Sequence, residues 1–401
     1  MAGLIRPEAG AAALSAPRVS GVATDQLRRH NLSAILTLLH HGGSQARSAL
    51  TAQTGLNRST VGALVAELGE RGLAYETDPD PTNQVGRPSP TVNPDERNVA
   101  IAINPEVDAI TVGVVALGGR VVRTIRHETD HVPTAQEAVE ICAGLIASIE
   151  EEYTREGTIV GIGVAVPGLV RAEDGLVRLA PHLEWVDEPV GTMLAEATGY
   201  DVAVGNDASL AALVEHIYGA GRGLRDMVYF NGSPSGIGGG VIANGALLEG
   251  ASGYAGELGH TRSGGTDRTL ESRVLRSELL AALGRSTATA DELESLVLAD
   301  AGRKVAGVVR NQLEYLGTAI GDAVNILNPQ RVVLGGFLAT LLQKDPEFLR
   351  ARVAAQTLHA PYEDVEIVTA DLGSDLLMIG AAELTFAALL ADPAGYGRAT
   401  A

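Results

Sequence analysis

Cysteine, aromatic residues and long apolar runs are scarce in this chain, and each scarcity excludes a class of protein. The 401 residues include one cysteine, Cys142, which excludes an internal disulfide and any zinc site built from several thiolates. No apolar run reaches the roughly 18 residues that a membrane-spanning helix requires. Aromatic residues make up 3 % of the chain, so we expect a core of mainly Ala, Val and Leu. These features predict a cytoplasmic globular protein of two or three units, with no role at a membrane.

Basic residues are outnumbered, but unevenly along the chain. The formal net charge is −19, which by itself argues against binding to nucleic acid. Residues 24–75, however, hold five arginines and three acidic residues, for a net charge of +2. Because only the local field matters where a protein meets a phosphate backbone, an acidic body does not exclude a DNA-binding head. Residues 1–22 are Ala-rich and broken by two prolines, and are predicted to be a disordered lead-in rather than a secretory signal.

Residues 23–95 have the pattern of a winged helix-turn-helix. Apolar residues recur at helical spacing in two segments, and each set is expected to form one buried helix face. The two sets are Leu32, Ile35, Leu36 and Leu39, and Val61, Leu64, Val65 and Leu68. A short helix between them is predicted to begin at a Ser44 cap and to end at Gly55, and Asn57 is predicted to cap the next helix. The polar segment after Tyr75 is typical of strand, turn and strand, which would form a wing.

The start of the last helix and the wing would offer side chains to DNA. A helix whose N-terminal end points into the major groove presents its outward side chains to base edges and phosphates. Arg87, in the Gly-Arg-Pro at the return of the wing, could reach a minor groove or a phosphate. The alternative is an ordinary three-helix bundle with a solvated Arg87. The predicted DNA contacts are Arg47, Asn57, Arg58, Ser59, Thr60 and Arg87.

From residue 96 onward, β-rich segments alternate with helical ones, which is typical of an α/β domain. Asn206 and Asp207 directly follow a predicted strand, a position that lies in the crevice where open α/β sheets bind ligands. A second half repeats the order of strand, glycine-rich turn and helix. We therefore expect two lobes with a cleft between them. Cys142 is expected to pack inside a helix, and Trp185 would either line the cleft or fill the core.

Glu257 and His260 lie three residues apart in a glycine-rich stretch, and three kinds of chemistry could explain them. A carboxylate and an imidazole can bind a metal, act as an acid/base pair, or bind the hydroxyls of a small polar ligand. An ordinary surface turn would also contain such a pair. The two residues alone do not decide between these alternatives.

Several segments, in order, resemble the ROK family of sugar kinases and sugar-responsive repressors. They are GVAVPGLV, GNDASLAALVE, SGIGGGVIANGALLEGASGYAGELGH, NILNPQRVVLGG and LGSDLLMIGAAELT, and the resemblance covers about residues 98–390. The preceding winged helix with its Gly-Arg-Pro resembles the repressor branch. The resemblance implies an actin-like, hexokinase-type pair of α/β lobes over residues 96–401.

The resemblance also implies a set of sugar-binding residues. The family's Asn-Asp pair, which binds sugar hydroxyls, falls on Asn206 and Asp207, and in the kinases this Asp is the base that activates the acceptor hydroxyl. The Glu and His of the family's Glu-x-Gly-His motif fall on Glu257 and His260. A further hydroxyl-binding Glu and a backbone contact complete the implied site. Its members are Asn206, Asp207, Glu257, His260, Glu271 and Gly168.

Two departures from the family pattern bear on the chemistry. Family members bind a structural zinc through three cysteines and the His, but here Arg262, Gly264 and Thr269 replace the cysteines. One imidazole cannot complete a four-ligand zinc site, so no metal is expected. The kinases hold ATP phosphates on an Asp-x-Gly-Gly-Thr loop, which Asn104–Asp108 replaces here. Its proline removes an amide donor and its two carboxylates would repel phosphate, so neither enzymatic activity nor a cofactor is expected.

Three functions follow from these features. The leading one is a sugar-responsive DNA-binding transcription regulator, a repressor, whose non-catalytic domain binds a carbohydrate. It would act as a homodimer, or a dimer of dimers, on a two-fold symmetric operator. The alternative is an ATP-dependent sugar kinase with an appended DNA-binding domain, which Asp207 favours and the replaced phosphate loop opposes. A third is a DNA-bound platform for a partner protein, with a vestigial sugar pocket.

Overall fold

A winged helix-turn-helix forms the N-terminal part of the protein, residues 20–95, here called the head. The structure is a computed structural model that describes residues 20–78, 89–155, 157–262 and 267–396. The head contains α1 (Ser20–Gly42), β1 (Gln45–Ala46), α2 (Arg47–Thr54), α3 (Arg58–Glu70), β2 (Ala74–Thr77) and β3 (Thr91–Pro94). The strands form an antiparallel sheet in the order β1-β3-β2, and β2 and β3 are the two sides of the predicted wing. Both predicted apolar helix faces are buried.

Local details of the head agree with the sequence prediction in part. Gly55 ends α2 in a left-handed conformation (φ 69°), and Asn57 caps α3 by accepting a hydrogen bond from a backbone N–H of its first turn, both as predicted. The prediction for Ser44 is wrong: Ala46 precedes α2 without a side-chain cap, because this segment pairs with β3 instead. Helix α1 begins at Ser20, so the last three residues of the predicted lead-in are helical.

The first lobe is built on a five-stranded mixed sheet. In chain order its elements are β4 (Asn98–Pro105), β5 (Ala109–Ala116), β6 (Val121–Glu128), α4 (Ala135–Thr154), β7 (Thr158–Val166), β8 (Leu169–Val170), β9 (Val177–Ala180), β10 (Trp185–Glu188), α5 (Val190–Thr198), β11 (Val202–Asn206) and α6 (Asp207–Tyr218). The sheet order is β11-β7-β4-β5-β6, and β8 to β10 form a separate antiparallel sheet. β4 is buried along its whole length, as expected for a central strand covered by helices on both faces.

The second lobe repeats this arrangement around a second five-stranded sheet. Its elements are β12 (Met227–Ser233), β13 (Gly236–Ala243), β14 (Ala246–Leu247), α7 (Arg276–Ala282), α8 (Ala290–Ala299), α9 (Arg303–Leu327), β15 (Arg331–Gly336), α10 (Phe337–Lys344), α11 (Pro346–Gln356), α12 (His359–Asp364) and β16 (Glu366–Thr369). The sheet order is β14-β13-β12-β15-β16. The last helix, α13 (Leu376–Ala391), returns to the first lobe and packs on β4 and β7. The prediction of two α/β lobes is confirmed.

The head and the first lobe share one hydrophobic core. Leu39 of the head packs in the same buried cluster as Leu117 of the first lobe and Phe386 of α13. At the junction, the Asn98 side chain donates a hydrogen bond to the carbonyl of Gly72 (2.7 Å). Because the two parts bury apolar surface against each other, the boundary near residue 95 is a change of fold and not a flexible joint.

Trp185 and Cys142 both lie in the core of the first lobe. Trp185 is 2 % exposed and its indole N–H donates to the carbonyl of Pro133 (3.0 Å), so it fills the core and does not line the cleft. Cys142 is buried in α4 as predicted, and burial raises the pKa of its thiol to about 12. Among the helices of the described residues, none combines the length and the apolar character needed to cross a membrane.

Candidate functional site

A cavity of about 330 Å³ lies between the two lobes, at the carboxyl ends of two parallel strands. Strands β7 and β11 are neighbours in register, with Val166 beside Asn206. The chain beyond β7 turns through Gly168, and α6 begins at Asp207 directly after β11. The turn between β12 and β13 lines the cavity from the second lobe. This is the crevice at strand ends in which α/β proteins bind ligands.

The six residues predicted to bind a sugar all line this cavity. They are Asn206, Asp207, Glu257, His260, Glu271 and Gly168. His260 is the last residue of a short 3₁₀ turn (Leu258–His260) and lies between two carboxylates: its Nδ1 is 3.5 Å from Oε2 of Glu257, and its Nε2 is 3.5 Å from Oε1 of Glu271. Both distances are longer than those of ordinary hydrogen bonds, so the two carboxylates flank the exposed imidazole ring without fixing it.

Asp207 is half-buried in the wall of the cavity, and its hydrogen bonds do not fully compensate its carboxylate for lost hydration. Burial raises its pKa to about 7; the backbone N–H of Ala208, at 2.8 Å from Oδ1, opposes this shift, and the nearby carboxylate of Glu257 reinforces it. Burial likewise raises the pKa of Glu257 above its ordinary value, His260 opposes this shift and Glu271 adds to it. Hydroxyl groups of a bound ligand would donate to these carboxylates and stabilise their ionised forms.

Asn206 and Gly168 have structural partners already. The Asn206 amide donates to the carbonyl of Gly168 (3.0 Å), and its oxygen accepts from the backbone N–H of Ser209 (2.8 Å), which caps α6. A β-carbon at Gly168 would collide with the backbone of Leu179, so glycine is required here by close packing. These two residues position the wall of the cavity and retain little spare capacity for a ligand.

The cavity also contains side chains that the sequence did not mark as ligand-binding. Leu179 and Pro181 give the first-lobe wall an apolar face, and the hydroxyls of Ser233 and Ser235 lie 2.7 Å apart on the opposite wall. Leu179 sits in a short strand without any motif, so nothing in the sequence indicated its position. Among the described residues that line the cavity there is no Arg or Lys, and a phosphorylated ligand would therefore meet three carboxylates without a cation.

The residues at the family's zinc position do not fit zinc. Arg262 and Thr269 offer no thiolate, and Gly264 lies outside the described residues. A backbone hydrogen bond from Leu270 to the carbonyl of Thr261 (2.9 Å) ties this segment together. The absence of a metal remains a prediction.

The N-terminal end of α3 forms an exposed polar surface. Arg58 and Ser59 are exposed, and Arg58 has no ion-pair partner among the described residues. The Ser59 hydroxyl donates to Oδ1 of Asn57 (2.6 Å), the same oxygen that caps α3. Of the predicted DNA contacts, the exposed ones are Asn57, Arg58 and Ser59, and their contact with DNA stays a prediction.

The other predicted DNA contacts are less available. Arg47 forms an ion pair with Glu76 of β2 (3.1 Å), which ties the start of α2 to the wing. Thr60 is half-buried in α3. Arg87 lies outside the described residues, so its place in the wing stays a prediction.

Comparisons with known proteins agree with this architecture. The model of the ROK family matches residues 100–388. A xylose repressor from Caldicellulosiruptor bescii is 26 % identical over 396 residues, covering 92 % of this chain and 98 % of that protein. A glucokinase from Halalkalibacterium halodurans is 30 % identical over 270 residues, covering 60 % of this chain and 80 % of that protein.

A solved structure covers the head as well as the lobes. It is a ROK family transcriptional regulator described as a homologue of the Escherichia coli Mlc protein, with a TM-score of 0.75, 21 % sequence identity, and coverage of 92 % of this chain and 98 % of that one. With a family model that spans both lobes, this chain belongs to the ROK family.

Proposed function

We propose that this protein is a sugar-responsive DNA-binding transcription regulator, a repressor, that acts in the cytoplasm. One observation carries the proposal: a single chain joins a winged head with an exposed helix end to a cavity lined by groups that bind hydroxyls. The similarity to a xylose repressor over 92 % of the chain supports it, since that match includes the head, whereas the glucokinase matches 60 % of the chain. The protein would act as a homodimer, or a dimer of dimers, on a two-fold symmetric operator.

DNA binding is tested by selecting sites from a random-sequence library with the full chain and measuring affinity against salt concentration. Arg58→Ala should weaken binding and reduce the slope of log K against log salt by about 1 if the side chain contacts a phosphate. Arg123→Ala, an exposed arginine of the first lobe, is the matched control and should change neither. Failure to select any preferred sequence at moderate salt would contradict the proposal.

Sugar binding is tested by melting-temperature shifts with D-xylose, D-glucose, N-acetyl-D-glucosamine and glucose 6-phosphate. An uncharged sugar should stabilise the protein and the phosphorylated one should not, because the cavity is lined by carboxylates. Glu257→Ala should remove the shift, and Glu151→Ala, an exposed helix residue, should leave it intact. If no sugar stabilises the protein, the cavity is vestigial and a DNA-bound platform becomes the better account. A shift that survives Glu257→Ala would remove Glu257 from the sugar site.

The segment predicted to replace the kinase phosphate loop favours a regulator over an enzyme. Asn104–Asp108 comprises the end of β4 and the tight turn to β5, which is closed by a hydrogen bond from the Glu106 N–H to the carbonyl of Ala109 (2.8 Å). Arg126 pairs with Glu106 (2.8 Å) and with Asp108 (3.2 Å) across this turn. The turn thus presents carboxylates and an engaged arginine where the kinases present glycine amides. A coupled ATP-consumption assay with the same sugars should show no steady turnover, and turnover that Asp207→Asn abolishes would establish a kinase.

A further inference from the structure

A buried cluster of hydrogen bonds, here called the junction, joins the head to the first lobe. Its members are His40 of α1, Tyr218 of α6 and Glu383 of α13. Oε1 of Glu383 accepts a hydrogen bond from Nε2 of His40 (2.9 Å) and another from the Tyr218 hydroxyl (2.7 Å). The backbone N–H of Gly118, in the turn after β5, donates to Nδ1 of His40 (2.8 Å). Three elements that are remote in sequence therefore meet at one carboxylate.

The hydrogen bonds of His40 show that the junction is not built for a metal. His40, His41 and Glu383 bring three possible ligand atoms within 4.8 Å of one another. However, Nδ1 of His40 accepts from Gly118, so the proton of the neutral ring is on Nε2 and points at Glu383. A metal-binding imidazole needs one bare nitrogen for the metal and usually donates from the other, which the Gly118 N–H would oppose. The arrangement is that of a hydrogen-bonded link between domains.

Helix α6 connects the junction to the cavity. It begins at Asp207, in the wall of the cavity, and ends at Tyr218, in the junction, a length of about 18 Å for its 12 residues. Helix α13 packs closely along α6: a β-carbon at Gly380 would lie 3.0 Å from Cβ of Leu210. Because tightly packed helices transmit displacement instead of absorbing it, a shift of α6 at the cavity reaches Glu383.

The same end of α6 also holds both chain segments that cross between the lobes. Glu215, fully buried one turn before Tyr218, accepts from the backbone N–H of Ala220 (2.8 Å) and from that of Leu372 (2.8 Å). Ala220 belongs to the segment that leads from α6 to the second lobe, and Leu372 to the segment that leads back to α13. Any rotation of one lobe against the other turns on these two segments, so it acts directly on the end of α6.

We propose that the junction is the element that couples ligand binding in the cavity to the DNA-binding head. Closure of the lobes on a ligand displaces the end of α6, and the hydrogen bonds from Tyr218 and His40 to Glu383 pass this displacement to α1. The inference rests on the proposed function, since it assigns the residues through which the sugar acts on DNA binding. It requires the hydroxyl of Tyr218 and not merely its ring.

The test compares Tyr218→Phe with Tyr200→Phe. Tyr200 is a matched control in the same lobe, because its hydroxyl also donates to a glutamate, Oε1 of Glu150 (2.6 Å), away from the head. The measured quantity is the coupling factor, the ratio of DNA dissociation constants with and without saturating sugar, using the selected DNA site and the sugar with the largest melting shift. A factor of about 5–150 is typical of allosteric proteins. We expect Tyr218→Phe to bring it within about twofold of 1 and Tyr200→Phe to preserve the wild-type value.

A structural role alone would not produce this pattern. Tyr218→Phe should retain the sugar affinity and the sugar-free DNA affinity of the wild type within about threefold, so that the coupling factor is the quantity that changes. A wild-type coupling factor in Tyr218→Phe would overturn the junction and leave the regulator intact. A wild-type protein that binds the sugar with a coupling factor of 1 would overturn both.

Hydrogen exchange gives a second measurement that does not depend on the variant folding. In the wild type, saturating sugar should change amide exchange at the C-terminal turns of α1, residues 36–42, although these residues are remote from the cavity. Tyr200→Phe should show the same change and Tyr218→Phe should not. Exchange in α1 that is insensitive to the sugar would also overturn the junction.

Discussion

Asp207 at the start of α6, and Glu383 of α13 beside the end of α6, have pKa values that are shifted in opposite directions. At the cavity, burial raises the pKa of Asp207 to about 7, since the backbone N–H of Ala208 and a longer contact from the Asn206 amide (3.4 Å) do not offset the lost hydration. At the junction, burial also opposes ionisation of Glu383, but the hydrogen bond from His40 and the neighbouring His41 outweigh it and lower the pKa to about 2. The difference lies in the donors that the protein supplies: Glu383 has short hydrogen bonds from two side chains, whereas Asp207 has one short hydrogen bond from the backbone. A buried carboxylate with few hydrogen bonds from the protein can accept more from a ligand. A carboxylate that accepts hydrogen bonds from two other helices holds the structure together.

The largest effect is expected on replacement of Glu383. Glu383→Ala removes the acceptor shared by His40 and Tyr218, and each buried donor left without a partner costs about 1–3 kcal/mol. The free energy of unfolding, measured by urea titration at neutral pH, should fall by about 2–6 kcal/mol in total. Glu151→Ala, an exposed helix residue, should change it by less than about 0.5 kcal/mol.

The acid dependence of stability sharpens this expectation. The folded pKa of Glu383 lies at about 2, below its ordinary value of 4.5, so its contribution is present above pH 4.5 and is lost as the pH falls towards 2. Unfolding free energies at a series of acid pH values should therefore converge for the wild type and Glu383→Ala. A difference that stays constant down to pH 2 would show that the carboxylate charge has no part in it.

The next largest effect is expected at Asp207, where Asp207→Asn should weaken sugar binding and increase the stability of the folded protein. Loss of one charge-assisted hydrogen bond, worth about 1.5–3 kcal/mol, would raise the sugar dissociation constant by about 10- to 150-fold in calorimetric titration. The folded pKa of about 7 lies above the ordinary value of 3.8, so the protonated carboxyl contributes stability below pH 3.8 that is lost as the pH rises through 7.

The neutral amide in Asp207→Asn carries no such penalty, and the variant should melt at a higher temperature than the wild type at pH 8 and at the same temperature near pH 4. If the melting temperatures of the wild type and the variant differ by the same amount at both pH values, the raised pKa of Asp207 would be contradicted. Equal sugar affinity in the two proteins would remove Asp207 from the binding site.

The smallest effect is expected for two asparagines, Asn57 and Asn206, which both cap a helix. Only Asn206 also lines the cavity. Asn57 and Asn206 cap α3 and α6 with nearly the same geometry, 2.9 and 2.8 Å to a backbone N–H. Replacement of either by Ala should cost about 1 kcal/mol of unfolding free energy. Asn206→Ala should also weaken sugar binding, because it frees Gly168, whereas Asn57→Ala should not. Equal sugar affinities in the two variants would show that Asn206 acts only as a cap.

Local features of the fold could be predicted from the sequence because they depend on neighbours a few residues apart. The buried faces of α1 and α3 follow from apolar spacing, and the αL stop at Gly55 and the cap at Asn57 follow from residue type. The Ser44 cap failed because pairing with β3, more than 40 residues further along the chain, overrode the local preference. The residues of the cavity were predicted through ordered motifs, but Leu179 and the serines of the β12–β13 turn carried no such signal.

The sequence by itself determined the winged head, the two α/β lobes and the polar residues that face each other across the cleft, since periodicity, turns and motifs are written locally. Only the tertiary structure decided that Trp185 fills the core, that two carboxylates flank His260, and that the head shares a core with the first lobe. The tertiary structure also decided that the pKa of Asp207 is raised and that of Glu383 lowered. Both residues are carboxylic acids, and the sequence gives no sign of this difference. The donors that distinguish Glu383 from Asp207 lie in elements that are far away in the chain.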